Sequence, residues 1–144
     1  MAVNPIPDGY SAVSPYLIGA GAPKLIDLLV RAFAARETFR MNRPDGTVGH
    51  AEVKIGDSVI MIADASPEAP AMPATIHVYV PDVDAAYRRA LAAGATSVRE
   101  PSDQLYGDRN AGVSDHCGNR WWIATHTEDL TPEEIERRAQ PRPQ

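Results

Sequence analysis

The apolar and polar positions divide the chain into two similar halves. Residues Met1 to Tyr10 carry Pro5, Pro7 and Gly9 without periodicity and predict an extended arm. Ala12 to Ile18 is a short apolar run that predicts a strand. Gly19, Gly21 and Pro23 break it, and Pro23 suits a first helical position, where its missing N–H has no partner to lose. Leu25, Leu28, Leu29, Ala32 and Phe33 then recur at helical spacing, with Lys24, Asp27 and Arg31 largely off the stripe, so a helix runs to about Ala35. A meander of three strands follows, Glu37 to Asn42, Thr47 to Ile55 and Ser58 to Ala63. Its turns fall at Pro44-Asp45-Gly46 and at Gly56-Asp57. In the middle strand Ala51, Val53 and Ile55 alternate with His50, Glu52 and Lys54, making one face apolar and the other ionisable.

A linker of Pro and Ala over residues 66–73 separates a first unit, residues 11–65, from a second, residues 74–127, that repeats it in outline. Strand Thr75 to Val80 leads into a helix opened by Asp82 as N-cap, striped by Val83, Ala86, Tyr87, Ala90 and Leu91, and closed by Gly94. Strands at Ser97 to Glu100, Arg109 to Ser114 and Arg120 to Thr125 complete it. The two units start about 60 residues apart, a period that suits duplicated βαβββ modules in one domain and not a solenoid. In the tail, residues 128–144, Thr131-Pro132-Glu133-Glu134 has the capping-box pattern and predicts a short helix to about Ala139, with Gln140 to Gln144 frayed.

Composition narrows the function. The chain has 144 residues, 44% hydrophobic and 23% charged, enough to bury a core without staples. Its one cysteine, Cys117, excludes an internal disulfide and a Cys-rich zinc site. A net charge of -5 with scattered basic residues argues against a nucleic-acid partner. No apolar stretch approaches the ~20 residues of a membrane span and no charged-then-apolar leader stands at the N-terminus, so the expectation is a cytoplasmic protein without a membrane partner.

Several segments, in order, resemble the vicinal oxygen chelate superfamily, which groups glyoxalase I, bleomycin-resistance proteins and extradiol dioxygenases. They are Ser14-Pro15-Tyr16-Leu17-Ile18, Gly49-His50-Ala51-Glu52, Ile55-Gly56-Asp57-Ser58-Val59-Ile60-Met61, Ile76-His77-Val78-Tyr79-Val80 and Asp82-Val83-Asp84. Tyr106-Gly107-Asp108-Arg109, Asp115-His116-Cys117-Gly118-Asn119-Arg120-Trp121, Ala124-Thr125-His126 and Glu128-Asp129 extend the likeness over nearly the whole chain, most closely to the bacterial bleomycin-resistance-like branch. The resemblance implies an α+β fold in which two βαβββ modules form a curved eight-stranded mixed sheet around a cavity, with helices on the outer face, commonly as a homodimer.

Enzymes of that superfamily bind a divalent metal through His and Glu side chains on the first and last strands of each module. The resemblance places those positions near Ser14, Met61, Thr75 and Trp122, none of which is a His or a carboxylate, so no cofactor is expected. A slip of register leaves one alternative, a divalent ion held by His50, Glu52 and His77.

Alternation along the last strand sends Trp121 to the helix side and Trp122 into the cavity, where its ring either fills the space or offers a flat stacking face. Tyr16, Thr75, His77 and Tyr79 share the inward parity, Met61 is an adaptable apolar wall, and Tyr106 and Arg109 stand in a loop expected at the cavity mouth. Arg109 could meet an anionic or carbonyl-bearing ligand group or pair with Asp108 or Glu100. These residues make the candidate binding set, and they could also simply pack together. A Cys117–His116 nucleophile is disfavoured because neighbours at a hairpin turn are expected to diverge, and His126 is expected to hydrogen-bond where the chain leaves the sheet. The pattern favours a metal-free protein that sequesters a flat aromatic natural product or antibiotic, as bleomycin-resistance proteins do in a cleft between subunits. The alternative is a glyoxalase-like or related enzyme, with a non-standard metal site or with Glu52 as a general acid–base whose pKa burial would have to raise. A plugged cavity serving only a dimer interface is the third reading.

Overall fold

The computed structural model describes residues 2–141. Met1, the first residue of the arm, and Arg142, Pro143 and Gln144 of the expected frayed end lie outside the described residues. The elements run β1 (Tyr16–Gly19), α1 (Ala22–Phe33), β2 (Arg36–Asn42), β3 (Val48–Ile55), β4 (Ser58–Asp64), β5 (Thr75–Tyr79), α2 (Val83–Ala92), β6 (Thr96–Asp103), β7 (Asp108–Ser114), β8 (Arg120–His126) and α3 (Pro132–Ala139). The fold is α+β, built of two βαβββ modules. Their eight strands form two open four-stranded mixed sheets, ordered β1-β4-β3-β2 and β5-β8-β7-β6. In each, the first and last strands of the module pair in parallel and the other pairs are antiparallel.

One face of each sheet is apolar and carries the module's helix. Leu17, Ala51, Val53 and Ile62 of the first sheet are buried with Leu25, Leu29 and Ala32 of α1, and Ala111, Val113, Trp121 and Ile123 of the second with Val83, Ala86 and Ala90 of α2. The helices also pack on each other, and the Phe33 ring lies 5.3 Å from that of Trp121, so both modules share one core. Burying aromatic and branched side chains contributes about 1.5–3 kcal/mol each, which makes this face the source of the fold's stability.

Polar groups at the strand ends fix the helices. The Asp64 carboxylate, at the end of β4, accepts the Ala22 N–H that opens α1 at 2.8 Å and the Val48 N–H at 2.7 Å. At the matching point of β8, the Thr125 hydroxyl accepts the Val83 N–H that opens α2 at 2.9 Å. The Asp82 side chain caps α2 at Ala85 N and the tail helix closes its capping box between Thr131 and Glu134, as the pattern predicts. Two strands differ from expectation. β1 begins four residues beyond the predicted Ala12, with residues 11–14 belonging to the arm. β6 runs past Pro101 to Asp103, which an edge strand tolerates because it has no ladder partner on one side. Among the described residues no helix is long and apolar enough to cross a membrane.

Candidate functional site

The face of each sheet opposite its helix is open, and strand pairing lays one central row of side chains across it. In the first sheet the row is Tyr16, Met61, Glu52 and Phe39. In the second it is His77, Trp122, Gly112 and Arg99. The register therefore sets Tyr16, not Ser14, beside Met61, and His77, not Thr75, beside Trp122. Thr75 lies two residues along, opposite Arg120. These faces expose large side chains that a closed core would hide: Tyr16 is 45% exposed, Phe39 47%, Met41 56% and Tyr79 62%.

On the first sheet the polar groups satisfy one another. Tyr10, from the arm, donates its hydroxyl to Glu52 Oε1, His50 Nε2 lies 2.8 Å from Glu52 Oε2, and His50 Nδ1 lies 2.8 Å from the Tyr16 hydroxyl. The arm crosses this face, and Pro7, Tyr10 and Ser14 enclose a hollow of about 430 Å³ with Glu52 and Met61. Hydrogen bonds from Tyr10 and then His50 hold the Glu52 carboxyl below its usual range against the smaller upward push of burial. This direction is opposite to the raised pKa that a Glu52 general acid–base requires.

On the second sheet the Trp122 indole lies across Gly112, where an added Cβ would fall 2.6 Å from its Cζ3 atom, so only glycine leaves the ring room. The Arg99 guanidinium sits over the ring, 4.9 Å from its centroid, and donates to Asn110 Oδ1. The Asn110 amide in turn donates to the Tyr106 hydroxyl at 2.6 Å. The expected open stacking face is thus covered by a cation. His77 stacks obliquely on Tyr79, ring centroids 4.8 Å apart, and Tyr79 donates to Asp108 Oδ2 at 2.8 Å. His126 bridges Asp108 at 2.8 Å and Asp129 at 2.7 Å, and those hydrogen bonds raise its pKa. A groove of about 300 Å³ along β5, lined in part by Val13, Pro15, Ile60, His77 and Tyr79, joins this face to the arm.

Three expectations are corrected. Arg109 does not reach the open face: it points to the helix side, where Nε and Nη2 grip both oxygens of Asp84 at 2.8 and 3.0 Å and Nη1 meets Asp103 at 3.3 Å. Strand alternation decides this, because its neighbour Asn110 takes the open side. Cys117 and His116 do not diverge. Sγ lies 3.3 Å from His116 Nε2, and the thiol donates to the Ala20 carbonyl at 3.2 Å while burial pushes its pKa up, which disfavours the thiolate a nucleophile needs. Thirdly, His50, Glu52 and His77 do not form one set, since His77 belongs to the other sheet, beside Tyr79.

The residues present do not fit the superfamily's metal. The four side chains on the strands that would hold it are a phenol, a thioether, an imidazole and an indole, of which one is an ordinary divalent-metal ligand. Among the described residues no three His, Cys, Asp or Glu side chains are grouped to hold an ion.

Arg99, Asn110 and Tyr10 also belong to these faces and are not among the residues the sequence singles out. Asn110 was legible, since Asp108, Asn110, Gly112 and Ser114 alternate with Arg109, Ala111 and Val113. Arg99 was hidden by register shifts on both its sides, which break the alternation, although Pro101 marks the irregularity. Tyr10 lies in an aperiodic arm 42 residues from its partner and left no signal.

Residues 17–123 match the family model described as Glyoxalase/Bleomycin resistance protein/Dioxygenase superfamily. An uncharacterized protein of Mycobacterium bovis is 37% identical over 147 residues, covering 94% of each chain. A counterpart in Mycobacterium tuberculosis is also 37% identical over 94% of this chain and 84% of its own. Among solved structures, TioX from Micromonospora sp. ML1 aligns with a TM-score of 0.65 at 27% identity, over 84% of this chain and all of that one. The fosfomycin resistance protein FosX from Mesorhizobium loti aligns at 0.61 and 18% identity, over 81% of this chain and 92% of its own, a likeness of fold alone.

Proposed function

Because the chain belongs to the Glyoxalase/Bleomycin resistance protein/Dioxygenase superfamily, we propose that it is a metal-free binding protein of the bleomycin-resistance type. It captures a flat aromatic natural product or antibiotic in the cytoplasm and protects the cell by mass action, without turnover. The observation that carries this reading is the lining of the two open faces: of the four positions where a metalloenzyme would need carboxylates and histidines, only His77 is such a residue, while Tyr16, Met61 and Trp122 fill the other three and Tyr79 stands beside them. Aromatic and thioether surfaces bind planar guests by stacking and area burial. The protein acts as a homodimer, in which the first sheet of one copy and the second sheet of its partner close over the ligand and cover the exposed Phe39, Met41 and Tyr79. Tyr106 borders this cleft, whereas Arg109 serves the structure through Asp84.

One observation favours a second reading, an enzyme of the same superfamily. The Tyr10–Glu52–His50–Tyr16 chain orients a histidine by a carboxylate, an arrangement suited to proton transfer. Titrating tryptophan fluorescence with planar antibiotics distinguishes the two. Capture predicts saturable quenching that Trp122→Ala abolishes, antibiotic recovered unchanged, and no stoichiometric zinc, nickel, iron or manganese in protein purified without chelator. Stoichiometric metal, or turnover abolished by His50→Gln, would contradict it.

A further inference from the structure

We infer that the captured ligand carries an oxyanion, such as a carboxylate, and that Arg99 recognises it. The inference rests on the proposed capture of an aromatic guest by the second sheet and specifies the guest's chemistry. Arg99 is exposed and held by two partners that carry no charge, the Trp122 ring and the Asn110 side chain. Asn110 is itself fixed, through its amide, by the Tyr106 hydroxyl. Among the described residues no carboxylate pairs with Arg99, which is true also of Arg36, Arg88 and Arg120; what sets Arg99 apart is that it is held over an indole on the open face. A guanidinium presents five N–H donors in a planar fork, and most of Arg99's remain for a ligand.

The stacking geometry points the same way. The indole rests on Gly112 and the guanidinium covers it. A neutral flat guest that stacks on Trp122 must displace the cation and offers it at most a neutral acceptor. A guest with an oxyanion at its edge re-pairs the displaced guanidinium through a charge-assisted hydrogen bond, so the cation–π contact is exchanged for a stronger one. The anion contact that a place at the cavity mouth offered Arg109 thereby falls to Arg99, ten residues earlier and on the opposite face of the sheet.

The test is an NMR titration of the full chain with 2-naphthoate and with its neutral isostere 2-naphthamide, following the Trp122 indole N–H and the Arg99 Nε–H signals. We expect naphthoate to bind at least roughly tenfold more tightly. Arg99→Gln, an exposed edge-strand change, should remove the preference. Arg99→Lys should keep part of it, and Arg120→Gln, a second cation on this face, should leave it intact. Equal affinity for the two probes in the native protein overturns oxyanion recognition while leaving aromatic capture standing. A preference lost in Arg120→Gln but kept in Arg99→Gln overturns the assignment to Arg99. If neither probe moves either signal up to its solubility limit, aromatic capture fails and the oxyanion site fails with it.

Discussion

The two sheets share a strand order and pairing pattern, yet their open faces differ in chemistry. The first is closed on itself: the arm lies across it, and Glu52, His50, Tyr16 and Tyr10 satisfy one another. The second holds an indole on a glycine beneath a guanidinium that lacks a carboxylate among the described residues. Glu52 and Gly112 occupy the same place in the two rows, and so do Phe39 and Arg99. The buried faces set the fold, while the open faces, which stability constrains less, set what each half can bind.

The comparison can be broken first at the core the halves share. Trp121→Ala empties a fully buried site and leaves Asp115 without the indole N–H at 2.9 Å. It should cost about 3–5 kcal/mol in urea denaturation, with both halves unfolding in one transition. Two separate transitions would show independent cores. The paired helix caps come next. Asp64→Ala strands two buried N–H donors and should cost about 2–4 kcal/mol, whereas Thr125→Val, at the matching place, should cost about 1–2 kcal/mol. Equal costs would mean that the caps do not differ as their hydrogen bonds do.

The central rows offer a sharper contrast. Gly112→Ala should destabilise by about 1–3 kcal/mol and tilt Trp122 off the sheet, changing the fluorescence of one tryptophan, because the new Cβ meets the ring. An unchanged spectrum would show that the ring does not lie across Gly112. Smallest is a pH effect confined to the second sheet. Asp108 and Asp129 raise the pKa of His126 above its usual 6.5, so its stabilising contribution is complete below that value and is lost as pH rises through the higher folded value. The urea midpoint should fall slightly as pH rises above 6.5, and His126→Gln should flatten the change. A midpoint that rises there would contradict the paired, protonated imidazole.

Much of the fold was legible because burial imposes periodicity. The α1 stripe, the Asp82 cap, the Thr131–Glu134 box and the division of Trp121 from Trp122 all follow from local patterns that the structure bears out, and Pro23 falls in the first turn of α1, one place after the first helical position. The open faces were less legible, since no packing rule dictates them. Which residue stands beside Met61 depends on a parallel register fixed by backbone pairing, and Ser14 and Tyr16, which share one parity, are separated only by that pairing. The side of the sheet that Arg99 takes depends on register shifts, and Tyr10 finds Glu52 only through a tertiary contact. The loop position of Arg109 allows either a ligand contact or a pair with Asp108 or Glu100, and its actual partner Asp84, 25 residues away on α2, leaves no local signal.

The claim that this protein captures its ligand without transforming it is tested most directly by native mass spectrometry of the protein mixed with a planar aromatic antibiotic, followed by denaturation and a mass measurement of what is released. The account predicts a dimer that carries the antibiotic and releases it with its mass unchanged, and the same dimer without it in Trp122→Ala. Release of a product of altered mass, or full retention by Trp122→Ala, would contradict it.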